Sequence, residues 1–414
     1  MVPELTRRRL LAGGVAIGTA GVAGATTRIG VGPLDAWTPS IGTWPHDRYD
    51  LRNAASNPHA SPPSNPTVAW RARPVEHVQS LVVGPERVYV GGRVEDGGSG
   101  VAALDRANGE LAWSSDVVGS ALALRRGTLY AGSSRGESSG LTAFDTETGE
   151  RRWREAVGDV EGLVALDGTV FAGSHYHLTA VAANSGDTKW TADGGLPAVA
   201  NGALFASGGG VRRYLPRRIS DVLTRESPPV EWDERGGGSL RPPVVSADRA
   251  MVGQGLPSHS GGESVYAFDL ETGTREWGAV EFSDGEYPVV TGSPAVRRGR
   301  GFFSFRRGKQ RARSHALVAC SLADGTERWR WESSDWVTSV AVGGETVLAG
   351  TSADDDTPGV AQNRLLAFAP DGSRKWAFDT EGAVRGLAPV GETVFVGTGV
   401  SLAKGTSGVV CALR

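Results

Sequence analysis

Eight tryptophans recur along the chain, 37–52 residues apart, and this spacing constrains the fold more than any other feature. They are Trp70, Trp113, Trp153, Trp190, Trp232, Trp277, Trp329 and Trp376. In the unit that ends at Trp113 the pattern reads Ala103-Leu104-Asp105, then Asn108-Gly109, then the tryptophan, and it recurs with the same spacing before Trp153 and Trp277. A repeat of this length is typical of one four-stranded blade of a β-propeller.

Each unit also reads as four short strands separated by turn residues. In the first unit the β-prone runs are 80–83, 87–91, 100–104 and 111–115. The segment from the Asp to the Gly suits a tight turn before the last strand, because the carboxylate accepts turn N–H groups and Gly adopts positive φ. The tryptophan then lies on the outer strand, where its large ring suits the seam between two blades. We therefore predict that the eight tryptophans dock neighbouring blades together.

The two ends of the repeat region indicate how the ring closes. Three strands follow Trp376, at 386–390, 393–397 and 408–413, and the chain stops where the next tryptophan strand is due. The strand around Trp70 has no partner strands before it, so we expect it to complete the last sheet and remove its open edge. The predicted fold is all-β: an eight-bladed propeller of four-stranded antiparallel blades over residues 67–414, closed by the strand around Trp70.

The residues before the propeller have a different character. Residues 1–25 open with Thr6-Arg7-Arg8-Arg9-Leu10-Leu11, continue as an apolar stretch rich in Gly and Ala, and end in the small residues Ala23-Gly24-Ala25. This pattern indicates a twin-arginine signal peptide, hence a periplasmic, cell-surface or secreted protein that contacts the membrane only through an uncleaved signal. Residues 26–66 form a Pro-rich leader, which we expect to pack over the wheel without adding a strand.

The spaced pattern Ala-x-Asp-x-x-Thr-Gly-x-x-x-Trp is similar to the tryptophan-docking motif of the pyrroloquinoline quinone repeat family of propellers, over about 67–414. The leader segment 44–50 also resembles the one that precedes the first blade in exported prokaryotic members. The family includes quinone-dependent alcohol dehydrogenases and a non-enzymatic outer-membrane assembly lipoprotein. The resemblance therefore implies the fold more strongly than it implies an activity.

Quinone binding is the cofactor hypothesis that the resemblance raises. Many of the family's dehydrogenases hold the quinone with a disulfide between adjacent cysteines, a stacking tryptophan and a calcium ion bound by carboxylates. This chain has only Cys320 and Cys411, which the blade count places two sheets apart, too far for a disulfide. We expect two free buried thiols and no cofactor, with pyrroloquinoline quinone and calcium as the disfavoured alternative.

Loop lengths indicate where a binding site lies. The turns after the first strand of each blade are short, whereas the loops on the opposite face vary in length, and variable loops on a rigid frame commonly carry binding. These loops are 93–99, 133–139, 253–263, 306–314, 352–363 and 398–407. One of them carries the basic residues Arg306, Arg307, Lys309, Arg311 and Arg313. They fit an acidic-partner site, although ion pairing with Asp354, Asp355 and Asp356 of the next blade explains them more simply.

The sequence assigns no catalytic or metal-binding residues, since His175 and His177 lack an evident third ligand. The net charge of -3 does not predict nucleic-acid binding. The leading hypothesis is a monomeric, non-catalytic extracytoplasmic propeller that binds a protein or envelope polymer through its variable loops. Two alternatives stay open, a quinone-dependent oxidoreductase and a carbohydrate-binding propeller that uses Trp331, Trp336 and Tyr287.

Overall fold

The computed structural model describes residues 34–93, 99–117, 119–134, 139–175, 177–208, 210–215, 226–235, 241–246, 248–253, 262–282, 289–307, 314–353, 362–399 and 408–414. Every regular element in these ranges is a β-strand, and the strands form eight sheets of four antiparallel strands each, with two short additions. The predicted eight-bladed all-β propeller is confirmed.

The strands of each blade follow one another in the chain. The first four blades are β3 (His77–Val83), β4 (Arg87–Arg93), β5 (Ser99–Asp105) and β6 (Leu111–Ser115); β7 (Ala121–Arg125), β8 (Thr128–Ser133), β9 (Gly140–Asp145) and β10 (Arg151–Glu155); β11 (Gly162–Ala165), β12 (Thr169–Gly173), β13 (His177–Ala182) and β14 (Thr188–Asp193); and β15 (Leu196–Ala200), β16 (Ala203–Ser207), β17 (Gly210–Tyr214) and β18 (Val230–Arg235).

The remaining blades repeat this order, and in the sixth blade the innermost strand is split in two. They are β19 (Val244–Ser246), β20 (Arg249–Gly253), β21 (Gly262–Asp269) and β22 (Arg275–Phe282); β23 (Val289–Val290), β24 (Ala295–Arg297), β25 (Arg300–Arg307), β26 (Ser314–Ser321) and β27 (Glu327–Ser333); β28 (Trp336–Gly343), β29 (Thr346–Ser352), β30 (Arg364–Phe368) and β31 (Arg374–Asp379); and β32 (Ala383–Val390), β33 (Thr393–Gly399), β34 (Val410–Leu413) and β2 (Val68–Ala72).

The eighth blade joins the two ends of the propeller. Strand β2 pairs antiparallel with β34, with Trp70 opposite Ala412 and Ala72 opposite Val410. Thr67 and Arg414 add two reciprocal backbone hydrogen bonds of 2.7 and 2.9 Å. The predicted closure by the strand around Trp70 is therefore confirmed, and the last sheet has its full set of four strands.

The hydrophobic core lies in the seams between blades, along the three inner strands of each sheet. Phe144, Phe205, Phe303, Phe368 and Phe395 are among the largest fully buried side chains, and each comes from a second or third strand. The outer strands alternate instead between exposed and half-buried residues, as in β6 and β10. This division follows from the architecture, because only the outermost strand faces solvent on one side.

The leader packs over the wheel, as expected, but the expectation that it adds no strand is wrong. Residues Ser56–Asn57 form β1, a two-residue parallel strand that pairs with β28 through Val342 and Gly343. The cause is the geometry of the ring: the innermost strand of each blade turns an edge of N–H and C=O groups toward the axis. Such an edge pairs readily with extended chain that runs past it.

Hydrogen bonds extend the leader around the whole ring, through its backbone at six blades and through the side chains of Trp37 and Asn57 at the other two. It makes a hydrogen bond of 2.7–3.0 Å with the innermost strand of every blade. In blade order the contacts are Trp44 with Val83, Pro45 with Leu124, Trp37 with Ala165, Leu51 with Val199, Arg52 with Val245, Ala54 with Val296, Ala55 with Val342 and Asn57 with Pro389. These positions lie near the ends of the first strands, so the leader covers the face that carries the short turns.

Candidate functional site

Each of the eight tryptophans lies on the outermost strand of its blade. Trp113 shows the contact clearly: its indole N–H donates to the carbonyl of Thr146 at 3.1 Å, and its ring lies against Gly149 in the turn of the next blade. A Cβ at Gly149 would be 2.6 Å from the ring, and its φ of 74° also favours glycine. The repeating Gly thus leaves room for the indole of the preceding blade.

Six other indoles donate to a backbone carbonyl in the same way. The pairs are Trp70 with Arg106, Trp153 with Ala183, Trp232 with Leu270, Trp277 with Leu322, Trp329 with Pro370, and Trp376 with Pro63. Trp376 uses the leader because the eighth blade has the two chain ends in place of a turn. Trp190 packs against Tyr214, and the corresponding turn of its neighbour falls at 216–225, outside the described residues.

A cavity of about 430 Å³ occupies the centre of the wheel. The equivalent position in each blade, four residues before the one that the leader contacts, is occupied by Gln79, Ser120, Glu161, Gly195, Arg241, Gly292, Thr338 and Arg385. Seven of these eight residues, all but Gly195, line the cavity, and we call the eight the channel ring. They lie toward the beginnings of the first strands, on the side of the variable loops.

The charged members of the channel ring have different surroundings. The carboxylate of Glu161 lies against Nδ1 of His175, another lining residue. Arg241 donates to the carbonyl of Thr291 at 2.6 Å. Burial lowers the pKa of Arg241, and the neighbouring positive charge of Arg385 lowers it further, whereas Glu161 acts in the opposite direction. Glu161 and the two arginines therefore share one electrostatic environment.

The leader forms the floor of the cavity with His46, Asp47 and Arg48. The carboxylate of Asp47 accepts hydrogen bonds from the hydroxyl of Ser80 and, at 3.2 Å, from the N–H of Leu122. Burial nevertheless raises the pKa of Asp47 to about 7 and lowers that of His46 to about 4. Both shifts favour the neutral forms of these two side chains.

Arg48 forms no ion pair with a carboxylate of the described residues. Its guanidinium donates to the carbonyls of Ser293 at 2.9 Å and Val340 at 3.3 Å, and also to that of Pro294. Burial lowers its pKa to about 10, so the side chain keeps its positive charge at neutral pH. The floor therefore presents a cation that backbone dipoles hold in place.

The predicted basic loop is described only in part. Arg306 is half-buried near the end of β25, and Arg307 ends that strand. Lys309, Arg311 and Arg313 lie outside the described residues, as do Asp354, Asp355 and Asp356. Most of the variable loops have central portions outside the described ranges as well, and partner binding and loop ion pairing stay predictions.

The cavity does not fit the quinone arrangement of the family's dehydrogenases. Its described lining residues include no tryptophan and no cysteine. Cys320 and Cys411 are free and buried in the sixth and eighth blades, as predicted, and burial raises the pKa of both to about 12. The two carboxylates that line the cavity, Asp47 and Glu161, already have the partners given above.

The aromatic and histidine candidates also have neighbours within the protein. Trp331 packs on Phe368 with ring centroids 5.4 Å apart, and Trp336 stacks on His315 at 6.5 Å. Tyr287 lies outside the described residues. His175 pairs with Glu161, and the described part of the chain contains no group of three or more side chains suited to hold a metal ion.

Sequence reasoning did not identify the channel ring or the floor. In the sequence the segment 44–50 shows only a family resemblance, and Glu161, Arg241 and Arg385 match no motif. One signal was available: each of the three stands about forty residues, or a multiple of that interval, from a counterpart in another blade. Aligning the first strands of the blades would have grouped them.

A family model described as "Outer membrane protein assembly factor BamB" matches residues 59–215 and 261–414. A search of curated protein sequences finds no significant match. No helix in the described residues is long and apolar enough to cross a membrane.

Three solved structures share the fold at low sequence identity. A europium-containing methanol dehydrogenase has a TM-score of 0.64 and 12% identity, covering 91% of this chain and 98% of that chain. The quinohemoprotein alcohol dehydrogenase from Comamonas testosteroni has a TM-score of 0.66 and 15% identity, covering 94% and 82%. BamB from Moraxella catarrhalis has a TM-score of 0.59 and 14% identity, covering 84% and 100%.

At these sequence identities the three structures show the fold alone. Two of the three proteins are named as enzymes and one as an assembly factor. The family match is more specific, because it covers most of the repeats that the tryptophans define. The chain therefore belongs to the pyrroloquinoline quinone repeat propellers, in the family described as outer membrane protein assembly factor BamB.

Proposed function

We propose that the protein is a non-catalytic propeller that works outside the cytoplasmic membrane and binds a protein or envelope partner through its variable-loop face. The observation that carries this proposal is the path of the leader. It hydrogen-bonds to every blade on the short-turn face, so the chain's own residues occupy the centre of that face. The variable-loop face keeps its long loops and the channel ring for a partner.

A location outside the cytoplasm agrees with the family description, which names an outer-membrane assembly factor. We propose that the route is twin-arginine export, directed by Arg7 and Arg8 in the signal pattern. Replacing both with Lys should leave the protein in the cytoplasm, whereas replacing Arg9 alone should not. Cell fractionation measures this, and normal export of the double variant would contradict the proposed route.

Partner binding is tested by cross-linking in intact cells followed by affinity purification of the tagged, exported protein. We expect a stable partner whose recovery falls when the loop 94–98 is replaced by a Gly-Ser linker of equal length. The matched control replaces Glu147, an exposed residue in a turn on the opposite face, with Ala and should leave recovery unchanged. Equal recovery with both variants would contradict binding through the loops.

The alternative of a quinone-linked oxidoreductase is tested on the same protein. Pyrroloquinoline quinone and calcium are added, the protein is desalted, and its absorbance is recorded. We expect no retained chromophore, because the described residues that line the cavity include neither the tryptophan nor the cysteine pair that the resemblance implies. A retained chromophore together with turnover of an alcohol would overturn the proposed function.

A further inference from the structure

A groove of about 660 Å³ lies on the short-turn face, away from the axis of the wheel. It is lined by leader residues within 36–39 and 49–59 and by residues from the turns of the fourth, fifth and sixth blades. Among the described residues, the groove and the central cavity share no lining residue. A space of this volume is typical of sites that hold a small organic molecule.

Two hydroxyl groups of the groove lack a partner among the described residues. The backbone of Ser56 is engaged in β1, but its buried Oγ forms no hydrogen bond with any of them. The hydroxyl of Tyr49, whose side chain is 5% exposed, forms none either. Burial raises the pKa of Tyr49 to about 12, so this hydroxyl keeps its proton. Because a buried polar group without a partner is costly, both hydroxyls favour a ligand that accepts hydrogen bonds.

The charged side chains of the groove leave one guanidinium without a counter-charge. Arg52 pairs with Asp50 at 3.1 Å, and Arg298 pairs with Glu345 at 2.8 Å. Arg297, which is half-buried, forms no ion pair with a carboxylate in the described part of the chain. The groove therefore has one uncompensated positive charge.

This guanidinium and the two hydroxyls lie at the seam between the sixth and seventh blades. Nε of Arg297 donates to the carbonyl of Gly344 at 3.2 Å. The N–H of Gly344 donates in turn at 2.9 Å to the carbonyl of Asn57, the residue after Ser56. Arg297 also opposes the rise in the pKa of Tyr49 that burial causes, which places its charge near that hydroxyl. The three groups thus share one end of the groove.

We propose that this end of the groove binds the oxyanion head of a small organic ligand, a carboxylate or a phosphate ester, through Arg297, Tyr49 and Ser56. All three side chains donate hydrogen bonds, and a guanidinium matches either head with two parallel bonds. The organic part of the ligand lies along the apolar surfaces of Pro39 and Pro58, which also line the groove.

A cation fits this end of the groove less well than an anion. Arg297 repels it, and the carboxylate of Asp50 already accepts hydrogen bonds from Arg52 and, at 3.0 Å, from the N–H of Ala54. A neutral alcohol can meet the hydroxyls, but it leaves the charge of the guanidinium unpaired. The site also faces away from the variable loops, so it does not depend on a partner bound there.

Titration calorimetry on the purified protein with its leader tests the site. The probes are phenyl phosphate, benzoate and benzyl alcohol, which share the same ring, measured at low and high salt. We expect at least one anion to bind, more weakly at high salt, and the alcohol to bind at least about ten-fold more weakly than that anion. Binding of phenyl phosphate alone identifies a phosphate ester as the ligand class, and binding of benzoate alone identifies a carboxylate. Absence of binding by both anions, or equal binding of the alcohol, would overturn the proposal.

Arginine variants locate the bound anion. Arg297→Gln should weaken binding about ten-fold or more, because it removes the charge that pairs with the head. Arg298→Gln is the matched control from the same turn: that side chain is 69% exposed and already paired, so binding should change by less than about two-fold. Arg385→Gln alters the central cavity and should leave binding unchanged. Loss of affinity in Arg385→Gln, with none in Arg297→Gln, would place the anion in the central cavity and contradict the proposal.

Hydroxyl variants separate ligand binding from a role in the fold. Ser56→Ala and Tyr49→Phe each remove a hydroxyl that has no partner among the described residues. Each should weaken binding about three-fold or more, whereas urea denaturation should show no loss of stability. Unaltered affinity in both variants would show that the hydroxyls do not meet the ligand, and the assigned site would then be wrong.

Discussion

At the scale of single residues, His46 and Asp47 are chain neighbours whose pKa values move in opposite directions. His46 stays neutral in the folded protein down to about pH 4, whereas Asp47 stays protonated up to about pH 7. In the unfolded chain the imidazole takes up its proton near pH 6.5 and the carboxyl group loses its proton near pH 3.8. Their contributions to the pH dependence of stability therefore oppose each other between about pH 4 and 6.5.

Substitution should separate the two contributions. In Asp47→Asn only His46 remains, and the unfolded chain binds more protons than the folded one below pH 6.5. The free energy of unfolding should then rise, relative to wild type, by up to about 3 kcal/mol from pH 4 to 6.5. His46→Gln should show the reverse trend, a fall relative to wild type from about pH 4 to 6.5. Urea denaturation across this range measures both, and parallel curves for all three proteins would contradict the assignment.

Gly149 offers a second test at the residue scale. Gly149→Ala places a methyl group 2.6 Å from the Trp113 ring at a φ of 74°, so the free energy of unfolding should fall by about 2–4 kcal/mol. Gly391→Ala is the matched control, because its φ is 59° but nothing lies within 4 Å. Gly391→Ala should lower the free energy of unfolding by about 1 kcal/mol, because only the positive φ of the backbone opposes the new side chain. Equal losses in thermal or urea denaturation would show that the indole contact adds nothing.

At the scale of elements, the leader is the part that differs most from the repeat. Its residues follow no strand periodicity, yet Trp44 is 1% exposed and pairs through its backbone with Val83. The same indole packs on Tyr49 with ring centroids 5.0 Å apart. The leader is thus integrated into the core of the wheel, rather than resting on its surface.

Leader packing predicts a large difference between two substitutions only three residues apart. Trp44→Ala should lower the free energy of unfolding by about 3–5 kcal/mol, because it leaves a cavity where a fully buried ring stood. Ile41→Ala removes a side chain that is 76% exposed, and it should change stability by less than about 0.5 kcal/mol. Chemical denaturation gives both values. Similar values for the two variants would mean that the leader does not stabilise the fold.

At the scale of the whole molecule, stability depends on keeping the ring closed. The closing contact joins residues that are more than 300 positions apart, through the pairing of β2 with β34. Bringing together two segments so far apart in sequence costs the unfolded chain a large amount of conformational entropy. A covalent link at this point should therefore stabilise the propeller as a unit.

Arg71→Cys tests this idea with the native thiol of Cys411. The two residues are directly paired across β2 and β34. The Cα–Cα distance of such an antiparallel pair lies in the range that a disulfide requires. Oxidation should raise the free energy of unfolding by about 2–5 kcal/mol, with reduction reversing the gain. The substitution also removes an exposed ion pair with Glu381, worth no more than about 1 kcal/mol. The control is the same variant with Cys411→Ser, which should not respond to oxidant.

The fold was predictable because its determinants are local and repeated. The turn from Asp145 to Gly149, for example, specifies its own geometry and leaves room for Trp113. Repetition then determines the number of blades, and the missing last strand predicts closure by Trp70. The leader was not predictable in the same way, because Ser56 and Asn57 pair with an edge that only the assembled ring presents.

The sequence by itself determined the blade, its turns, its tryptophan and the count of eight, since each depends on short-range chemistry that recurs in register. Only the tertiary structure decided what meets at the axis. Glu161, Arg241 and Arg385 are separated by 80 and 144 residues along the chain, and no local rule relates them. Closing the circle brings one position of each blade to a common centre, and the leader then covers one end of it.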